Sequence, residues 1–351
     1  MNNFKLLTFF ILTISLFSCG SNSDKKSSDF SLKISEDKEE FQLGEEIQVS
    51  VLNPKNRKID SVAFYFEGQK LQAENGNFRT AIILDNYKLG NQPIEAHVFT
   101  EGEKQEISKT IKLFNNTAPI SYTYEIVNSY PHDPEAYTQG LEFYNDTLYE
   151  SLGQYGKSKL RKTDLETGEI YNEIKLDDQY FGEGITILDG KIYQLTWREG
   201  EGIVYNLDDF EQTETFAYNE SKEGWGFTND GEKLYKSDGT EKIWILNPET
   251  LSEETFIQPA HHRGLSSKLN ELEWVEGKIY ANTYQKDGVA IINPENGAIE
   301  GLIDFRGLRE KVTQHDKLDV LNGIAYNPNS KKLYVTGKNW DRIFEVNIIE
   351  K

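Results

Sequence analysis

The sequence predicts an all-β protein in which a small immunoglobulin-like β-sandwich precedes a five-bladed β-propeller. The first observation is an aliphatic residue followed by tyrosine, a pair that occurs five times in the last two-thirds of the chain. The pairs are Leu148-Tyr149, Ile192-Tyr193, Leu234-Tyr235, Ile279-Tyr280 and Leu333-Tyr334. Their tyrosines are 44, 42, 45 and 54 residues apart, and a polar or glycine-containing turn precedes each pair. A period in the forties with strand-like patterning is typical of a propeller with one blade per repeat.

The length of the repeat region fits four strands in each blade. Residues 122–351 supply about 46 residues per repeat. Turn sequences recur at a similar phase, at 164–168, 247–250 and 293–297. Two strand-like segments lie outside the five repeats, 124–127 before the first and 343–348 at the end. Pairing of these two segments in one blade would close the ring.

The second observation concerns residues 30–114, where apolar and polar residues alternate in four short segments. Period-two alternation predicts half-buried strands, and several such strands in about 85 residues indicate a sandwich. The apolar positions are Phe30/Leu32/Ile34, Ile47/Val49/Val51, Val62/Phe64/Phe66 and Ile94/Ala96/Val98. No motif of catalytic or ligand-binding residues occurs here, so we interpret this region as a spacer or docking module. Residues 115–119 form the expected linker.

The N-terminus reads as a targeting segment. Lys5 is followed by an apolar run over 6–17, too short for a mature membrane span, and then by Cys19. This resembles a bacterial lipoprotein signal, with residues 1–18 removed, Cys19 lipidated and 19–29 as a tether. It predicts a lipid-anchored protein of the bacterial cell envelope, on the periplasmic or outer-membrane face. The alternative is an ordinary signal peptide with an incidental cysteine.

Charge and residue usage exclude several classes of function. Asp and Glu outnumber Lys and Arg by 58 to 38, a formal charge of −20, which argues against a nucleic-acid partner. Cys19 is the only cysteine, so a thiol nucleophile or a disulfide is not expected. The five histidines show no metal-ligand spacing, and we predict no metal site. We expect a monomer.

Two sets of positions, one residue per repeat in each, are expected to face the channel. The first set directly precedes a recurring glycine, which Glu271 replaces in the fourth repeat, upstream of each aliphatic-tyrosine pair: Gln139, Glu183, Trp225, Asn270 and Asn322. The second lies four residues after each tyrosine: Gly153, Trp197, Gly239, Tyr284 and Lys338. The glycine lets the backbone approach the axis closely. Because the residues differ between repeats, they mark either a substrate site or a solvated, hydrogen-bonded channel lining, and the repeats alone leave both open.

These residue types suit acid–base chemistry. A single carboxylate between aromatic walls, Glu183, would have a raised pKa through desolvation and could transfer protons near neutral pH. Lys338 could stabilise negative charge that develops on an oxygen. The amides of Gln139, Asn270 and Asn322 could orient a polar substrate, with Trp197, Trp225 and Tyr284 as walls.

An ordered set of motifs resembles one family, the plant-type glutaminyl cyclases, which include the papaya enzyme and bacterial relatives. The resemblance covers about 122–349 and excludes the N-terminal sandwich. The motifs are 131–134, 137–141, 149–156, 181–184, 196–197, 223–226, 237–239, 270–274, 321–325 and 336–340. Tyr137 stands where phenylalanine is usual, and Tyr284 stands where the plant enzyme has tryptophan, which leaves the substrate range open.

The resemblance implies a five-bladed propeller that converts N-terminal glutaminyl residues of peptides or exported proteins into pyroglutamate and releases ammonia. It implies that Glu183 transfers the protons and that Asn270 and Lys338 bind or polarise the amide oxygen. Gln139, Phe181, Trp197 and Trp225 match the pocket lining, and we add Tyr284 and Asn322 to the substrate-binding set. No cofactor is expected; a structural calcium ion in the channel would be compatible with the resemblance, but no ligand set is evident.

Two other functions remain as alternatives. One is a non-catalytic surface propeller that binds peptide or glycan. The other is a polysaccharide-active propeller, which would usually need two cooperating carboxylates. Of the carboxylates near the predicted site, Glu183 occupies a channel position, whereas Glu271 and Glu273 lie nearby.

Overall fold

The computed structural model describes residues 29–36, 38–72 and 78–351. This part of the chain consists of strands and loops, with one 3-10 turn at Arg309–Lys311. The prediction of an all-β protein is confirmed. The predicted signal peptide at 1–18, Cys19 and the tether up to residue 28 lie outside the described residues. In the described ranges, none of the helical structure has the length and apolarity needed to cross a membrane.

The N-terminal strands form two sheets around one apolar core. They are β1 (Ser31–Ile34), β2 (Glu40–Gln42), β3 (Glu46–Leu52), β4 (Ser61–Phe66), β5 (Gln69–Lys70), β6 (Arg79–Ile83), β7 (Gly90–Thr100) and β8 (Glu103–Phe114). One sheet has the order β1-β3-β6 and the other β2-β8-β7-β4-β5, with β2 parallel to β8. The predicted alternation is confirmed, since Phe30, Leu32 and Ile34 are buried and their neighbours in β1 are exposed. Burial of every second residue is what joins the two sheets face to face.

Three four-stranded antiparallel sheets follow, each built from consecutive strands. The first has β10 (Thr138–Tyr144), β11 (Thr147–Leu152), β12 (Lys159–Thr163) and β13 (Ile170–Lys175). The second has β14 (Gly182–Leu188), β15 (Lys191–Thr196), β16 (Glu201–Asn206) and β17 (Gln212–Ala217). The third has β18 (Phe227–Asn229), β19 (Leu234–Ser237), β20 (Ile243–Leu246) and β21 (Glu253–Ile257). Each repeated aliphatic-tyrosine pair lies in the second strand of its sheet.

Apart from a separate two-stranded hairpin, the remaining strands share one larger sheet, which contains the last two repeats. After the short hairpin β22 (Ala260–His261) and β23 (Gly264–Leu265) come β24 (Leu269–Val275), β25 (Lys278–Thr283), β26 (Gly288–Ile292) and β27 (Ile299–Asp304). The last strands are β28 (Leu321–Asn327), β29 (Lys332–Gly337) and β30 (Arg342–Glu350). An earlier strand, β9 (Ile120–Pro131), lies between β27 and β30 and joins the two halves of this sheet.

The two spare segments pair with each other, an arrangement that the sequence allows but does not fix. Strand β9 runs antiparallel to β30 from Arg342↔Pro131 to Glu350↔Tyr122 and parallel to β27 from Gly301↔Ile120 to Ile303↔Tyr122. The side chains also meet, since the Tyr130 hydroxyl donates to Glu345 at 2.8 Å. The first strand of the repeat region is thus held by its last strand.

The first strands of the five repeats contact one another in a cycle: β10, β14, β18, β24, β28 and back to β10. The predicted close approach of their glycines is confirmed. A Cβ at Gly226 would lie 1.9 Å from the Asn270 carbonyl oxygen, and a Cβ at Gly184 would lie 2.5 Å from the Phe227 nitrogen. Because no side chain fits at either position, neighbouring first strands pack backbone to backbone around the axis.

The N-terminal sheets contact the third and fourth repeats. The Leu89 nitrogen donates to the Asn296 carbonyl at 2.8 Å, and the Asn91 nitrogen donates to the Gln258 side chain at 2.8 Å. Gly90 has φ of 100° and lies so close to Gln258 that a Cβ would approach its side-chain oxygen to 2.4 Å. The expected linker at 115–119 is anchored as well, since Asn115 is buried.

Candidate active site

A cavity of about 220 Å³ opens where the first and second strands of the repeats come together. Its lining residues are Tyr137, Gln139, Phe181, Glu183, Trp197, Trp225, Asn270, Tyr284 and Lys338. The structure therefore brings together eight of the nine candidate catalytic and substrate-binding residues that the sequence singled out. Asn322 is the exception. Tyr137, noted in the sequence only for its departure from the usual phenylalanine, is an additional lining residue.

Irregular strand pairing aims three of the polar residues at the cavity. The register shifts between Thr138 and Gly140 in β10, between Gly182 and Ile185 in β14, and between Leu269 and Leu272 in β24. Gln139, Glu183 and Asn270 each fall in such an interval. A β-bulge takes a residue out of the ladder and redirects its side chain. The second-strand residues Trp197, Tyr284 and Lys338 follow directly after β15, β25 and β29.

The polar groups form a buried base to the cavity. Glu183, Gln139, Asn270 and Lys338 are only 4%, 3%, 3% and 2% exposed. The Gln139 amide nitrogen donates to Glu183 Oε1 at 3.0 Å. Asn322 lies behind Gln139 and not against the cavity, because its Nδ2 donates to Gln139 Oε1 at 3.2 Å and to the Thr138 carbonyl at 3.0 Å. The expectation that Asn322 faces the cavity is therefore corrected: it is not among the lining residues, although its Oδ1 atom has no hydrogen-bond partner among the described residues.

Asn270 and Lys338 keep hydrogen-bonding capacity unused. The Oδ1 atom of Asn270 is buried without a hydrogen-bond partner among the described residues. The Lys338 ammonium lies 4.8 Å from the ring centre of Tyr137 and 5.7 Å from that of Tyr284, and it makes no salt bridge within the described part of the chain. Buried polar groups are normally satisfied, so unpaired ones beside a cavity are placed to meet a ligand.

Glu183 and Lys338 each change the pKa of the other across the cavity. Burial raises the pKa of Glu183 well above its ordinary value; the charge of Lys338 opposes this rise, and Glu223 and Glu199 add to it. Burial lowers the pKa of Lys338, which Glu183 and Asp319 partly oppose. Both shifts favour the uncharged form of the side chain and bring its pKa closer to neutral pH, where each group can exchange a proton.

Half-buried aromatic rings form two walls above this base. Phe181 and Trp197 make one wall, with ring centres 5.4 Å apart, and Trp225 and Tyr284 make the other, with ring centres 5.6 Å apart in an edge-to-face arrangement. Tyr137 lies edge-to-face with Phe181 at 6.3 Å. The apolar walls explain why the charges at the base are so strongly desolvated.

Other ionisable residues that the sequence raised do not line the cavity. Glu271 and Glu273 accept hydrogen bonds from the backbone nitrogens of Ile324 and Tyr326, at 2.9 and 2.6 Å. His132 lies in a buried network, with Nε2 at 2.9 Å from Glu150 Oε1. In ranges 29–36, 38–72 and 78–351 no group of three or more His, Cys, Asp or Glu residues has the arrangement of a metal site. Glu183 is thus the one carboxylate among the cavity-lining residues named above.

Sequence reasoning missed Glu223 as a site residue, although it stands in one of the motifs. Its carboxylate oxygen Oε2 accepts hydrogen bonds from the indole nitrogens of both Trp197 and Trp225, each at 2.9 Å. A signal was present, because Glu223 precedes Trp225 by two residues and side chains two apart in extended chain point to the same side.

Comparison with known proteins gives one consistent result. The sequence profile of a family described as glutamine cyclotransferase matches residues 92–348, so it starts within β7, upstream of the expected 122. A glutaminyl-peptide cyclotransferase of Arabidopsis thaliana is 39% identical over 228 residues, which are 64% of this chain and 71% of that protein. The crystal structure of a glutaminyl cyclase from Myxococcus xanthus has 32% sequence identity and a TM-score of 0.62, and the similarity covers 66% of this chain and 99% of that one. The chain belongs to the glutamine cyclotransferase family.

Proposed function

We propose that the chain cyclises the N-terminal glutaminyl residue of peptides or proteins to pyroglutamate and releases ammonia. One observation carries the proposal: a buried Glu183 of raised pKa faces Lys338 and the amide of Asn270 in a cavity of about 220 Å³. That volume suits one glutaminyl residue with its amine. The names of the Arabidopsis and Myxococcus relatives support the same reaction.

Glu183 is the proposed proton-transfer residue. The substrate α-amine attacks its own side-chain amide carbon, which forms a C–N bond and closes a five-membered ring. Glu183 takes a proton from the attacking nitrogen and delivers one to the amide nitrogen, whose C–N bond breaks. The departing group leaves as ammonia, so protons and atoms balance without a further reactant. A carboxyl group whose pKa lies near the working pH serves both steps.

Asn270 and Lys338 are the proposed partners of the amide oxygen. Negative charge grows on that oxygen as the amine attacks, and the Lys338 ammonium and the Nδ2 group of Asn270 would donate to it in a dry site. The unpaired Oδ1 atom of Asn270 would instead accept from an N–H group of the substrate. Lys338 is free to do this because no described residue pairs with its ammonium. Gln139 holds Glu183, and Asn322 holds Gln139 in turn.

The aromatic walls are proposed to curl the substrate. An extended glutamine side chain keeps the amine away from the amide carbon, so confinement between Phe181/Trp197 and Trp225/Tyr284 would bring the two together. Holding reacting groups in contact is a large part of the acceleration of an intramolecular reaction.

The proposed architecture is a five-bladed propeller, residues 122–351, preceded by an immunoglobulin-like sandwich, residues 30–114. The five repeats with their cyclic contacts, and the β28-β29-β30-β9 set that would form the closing blade, support the first assignment. The two N-terminal sheets around one core support the second. The sandwich would act as a spacer or docking module, and the whole chain as a monomer. Sedimentation at micromolar concentration would test the oligomeric state.

The proposed location is the bacterial cell envelope. The apolar run before Cys19 supports a lipid anchor, with N-terminal glutaminyl peptides or exported proteins as substrates. Expression of the full chain with radiolabelled palmitate tests this: label in the wild type and none in Cys19→Ser supports the anchor. Unlabelled wild type would contradict it.

The proposed chemistry requires no cofactor, since the transfers above use only side chains of this chain. We expect activity to survive dialysis against a chelator. If dialysis abolishes activity, calcium restores it and Glu183→Gln remains impaired with calcium present, a structural ion in the channel would be indicated instead.

The central experiment follows ammonia and the mass of a synthetic glutaminyl peptide with the full-length protein. Wild type should release one ammonia per peptide, and Glu183→Gln should lose about 10²- to 10⁴-fold in kcat/KM. Glu166→Gln, in an exposed turn, is the matched control and should retain activity. A peptide with an acetylated N-terminus should not react. If the peptide binds but returns unchanged, the chain is a binding propeller and the proposal is wrong.

A further inference from the structure

One carboxylate connects the two aromatic walls of the cavity. Glu223 Oε2 accepts from Trp197 Nε1 and Trp225 Nε1, both at 2.9 Å, while Oε1 accepts from Arg198 Nε at 2.9 Å. Trp197 follows β15 in the second repeat, and Trp225 precedes β18 in the third. The hydrogen bonds therefore span two separate sheets.

The contact is one that an ionised carboxylate can make well. Two indole N–H groups on one oxygen need two free lone pairs, which the anion supplies. Burial on its own would raise the pKa of Glu223, but hydrogen bonds from Trp225, Arg198 and Trp197 outweigh it and hold that pKa below its ordinary value. The group is thus charged at neutral pH and forms charge-assisted bonds.

Arg198 lies on the solvent side of Glu223 and Trp197 and contacts both. Its guanidinium lies 3.8 Å from the ring centre of Trp197 and also donates to Glu223. The Arg198 side chain is 59% exposed and that of Glu223 is 25% exposed. Stacking and hydrogen bonding together restrict the rotation of Trp197, a restriction that ring packing alone would not give.

We propose that Glu223 is a positioning residue for the cyclisation: its carboxylate fixes the spacing of Trp197 and Trp225 so that the glutaminyl side chain is held folded towards its own amine. This rests on the proposed function. Without the carboxylate the two indoles would lose their shared acceptor and turn independently, and the cavity would accept extended substrate conformations that do not react. Small misplacements of this kind can lower a rate about 10²-fold.

The charge of Glu223 has a second effect that must be separated from the first. Lys338, Glu223 and Glu199 act on the pKa of Glu183, and Glu183 in turn acts on those of Tyr137, Tyr155 and Tyr218. Removing either Glu223 or Glu199 should lower the pKa of Glu183. Glu199 accepts from the Tyr155 hydroxyl at 2.9 Å and makes no hydrogen bond to either tryptophan in the described structure. Glu199→Gln is therefore a matched control that removes charge and leaves the indole contacts in place.

The experiment compares Glu223→Leu, Glu223→Gln and Glu199→Gln in the full chain, with kcat and KM measured over pH. We expect Glu223→Leu to lower kcat about 10- to 100-fold and to raise KM, because the substrate is held less well in its reactive shape. The kcat and KM of Glu223→Gln should lie between those of Glu223→Leu and wild type, because the amide oxygen of glutamine can still accept a hydrogen bond from an indole. Glu199→Gln should shift the acidic limb of kcat/KM to lower pH and keep kcat within about twofold.

A structural readout accompanies the kinetics. In ¹⁵N-indole spectra, Glu223→Leu should move the N–H resonances of Trp197 and Trp225, assigned from single Trp→Phe variants. The indole signals of Trp244, Trp274 and Trp340 should stay in place. If Glu223→Leu does not fold, Glu223→Gln carries the test by the same two readouts.

The outcomes distinguish this inference from the proposed function. Wild type that releases no ammonia would overturn the function. Active wild type, with Glu223 variants that keep its kcat and the two indole resonances, would overturn the positioning role alone. Glu223→Gln that only shifts the pH limb, as Glu199→Gln does, would also overturn it, because the charge would then explain everything.

Discussion

The side-chain amide of Asn322 fixes which way the amide of Gln139 points. Asn322 Nδ2 donates to Gln139 Oε1 at 3.2 Å, so the nitrogen of Gln139 is the atom that meets Glu183 at 3.0 Å. The three residues come from β28, β10 and β14, which are neighbours around the axis. A buried relay of this kind holds the carboxyl group of Glu183 in one orientation.

Replacing Asn322 should therefore impair the reaction although its side chain does not line the cavity. Asn322→Leu leaves the Gln139 oxygen unpaired and free to turn towards Glu183. We expect kcat to fall about tenfold with little change in KM, measured by ammonia release. Asn229→Leu is the control, since Asn229 donates to Thr186 and Ile187 away from the cavity. Equal kinetic effects of the two variants would contradict the prediction.

Removing the amine beside Glu183 should change both rate and pH dependence. Lys338 lowers the pKa of Glu183, so Lys338→Met should raise that pKa further and move the acidic limb of kcat/KM to higher pH. Loss of charge stabilisation on the amide oxygen should also lower kcat by about 10²- to 10³-fold. Lys157→Met, at an exposed position outside the cavity, should leave both the rate and the pH dependence unchanged. If the acidic limb of the kcat/KM profile does not move in Lys338→Met, the pKa of Glu183 does not determine the position of that limb.

A single methyl group should narrow the cavity. A Cβ at Gly153 would lie 2.4 Å from Phe181 Cε1 and 2.9 Å from Gln139 Cγ. Gly153→Ala should push the Phe181 ring towards the substrate and raise KM about tenfold, with a smaller effect on kcat. At Gly288 the nearest atom to a new Cβ is 3.8 Å away, so Gly288→Ala should leave KM unchanged. Similar KM values for both variants would refute the prediction.

Buried carboxyl groups outside the cavity should make stability depend on pH. Burial raises the pKa of Glu142 to about 8, and its Oε2 is buried without a partner among the described residues. The pKa of Glu142 is higher in the folded protein than in the unfolded chain. The contribution of this carboxyl group to the free energy of unfolding is therefore fully present below about pH 4.5 and is lost as pH rises through about 8. Glu142→Gln should therefore improve the free energy of unfolding more at pH 8 than at pH 5, by on the order of 1 kcal/mol or more. Urea titrations at both pH values test this; an effect independent of pH would exclude Glu142 as the source.

A second buried pair should matter for stability alone. Lys236 Nζ lies 2.7 Å from Glu253 Oε1, and the two side chains are 0% and 1% exposed. Lys236→Met leaves the buried Glu253 charge without its counter-ion, with only Ser221 and the Glu220 nitrogen still donating to it, which should lower the free energy of unfolding by about 3–5 kcal/mol. Lys191→Met breaks the exposed pair with Glu214 and should change the free energy of unfolding by less than about 1 kcal/mol. Comparable losses, measured by denaturation at pH 7, would contradict this reading.

The repeat pattern predicted the positions of the site residues because it reflects backbone constraints. Gly184 and Gly226 recur where neighbouring strands touch, and the repeated tyrosines recur in the second strands, so spacing in the sequence translates into position around the axis. The residues that vary at these positions, such as Glu183 and Lys338, can therefore be identified from the sequence alone.

Side-chain direction was harder to predict. The β-bulges that aim Gln139 and Glu183 at the cavity depend on pairing with a second strand and leave no sign in the local sequence. Asn322 occupies an equivalent repeat position, yet its amide is engaged by Gln139, a contact between the first and last repeats. The link between Glu223 and Trp197 spans two sheets, which periodicity along one strand does not reveal.

The position of β9 between β27 and β30 has a consequence for how the protein is made. Tyr130 and Glu345 are joined in this sheet although 215 residues separate them. At about 5–20 residues per second, a ribosome would release the second partner on the order of ten to forty seconds after the first. During that interval the edge of β9 that β30 covers is unpaired, and until residue 338 is made the cavity lacks Lys338. A cut that removed β30 would expose this edge of β9 without removing any residue that lines the cavity.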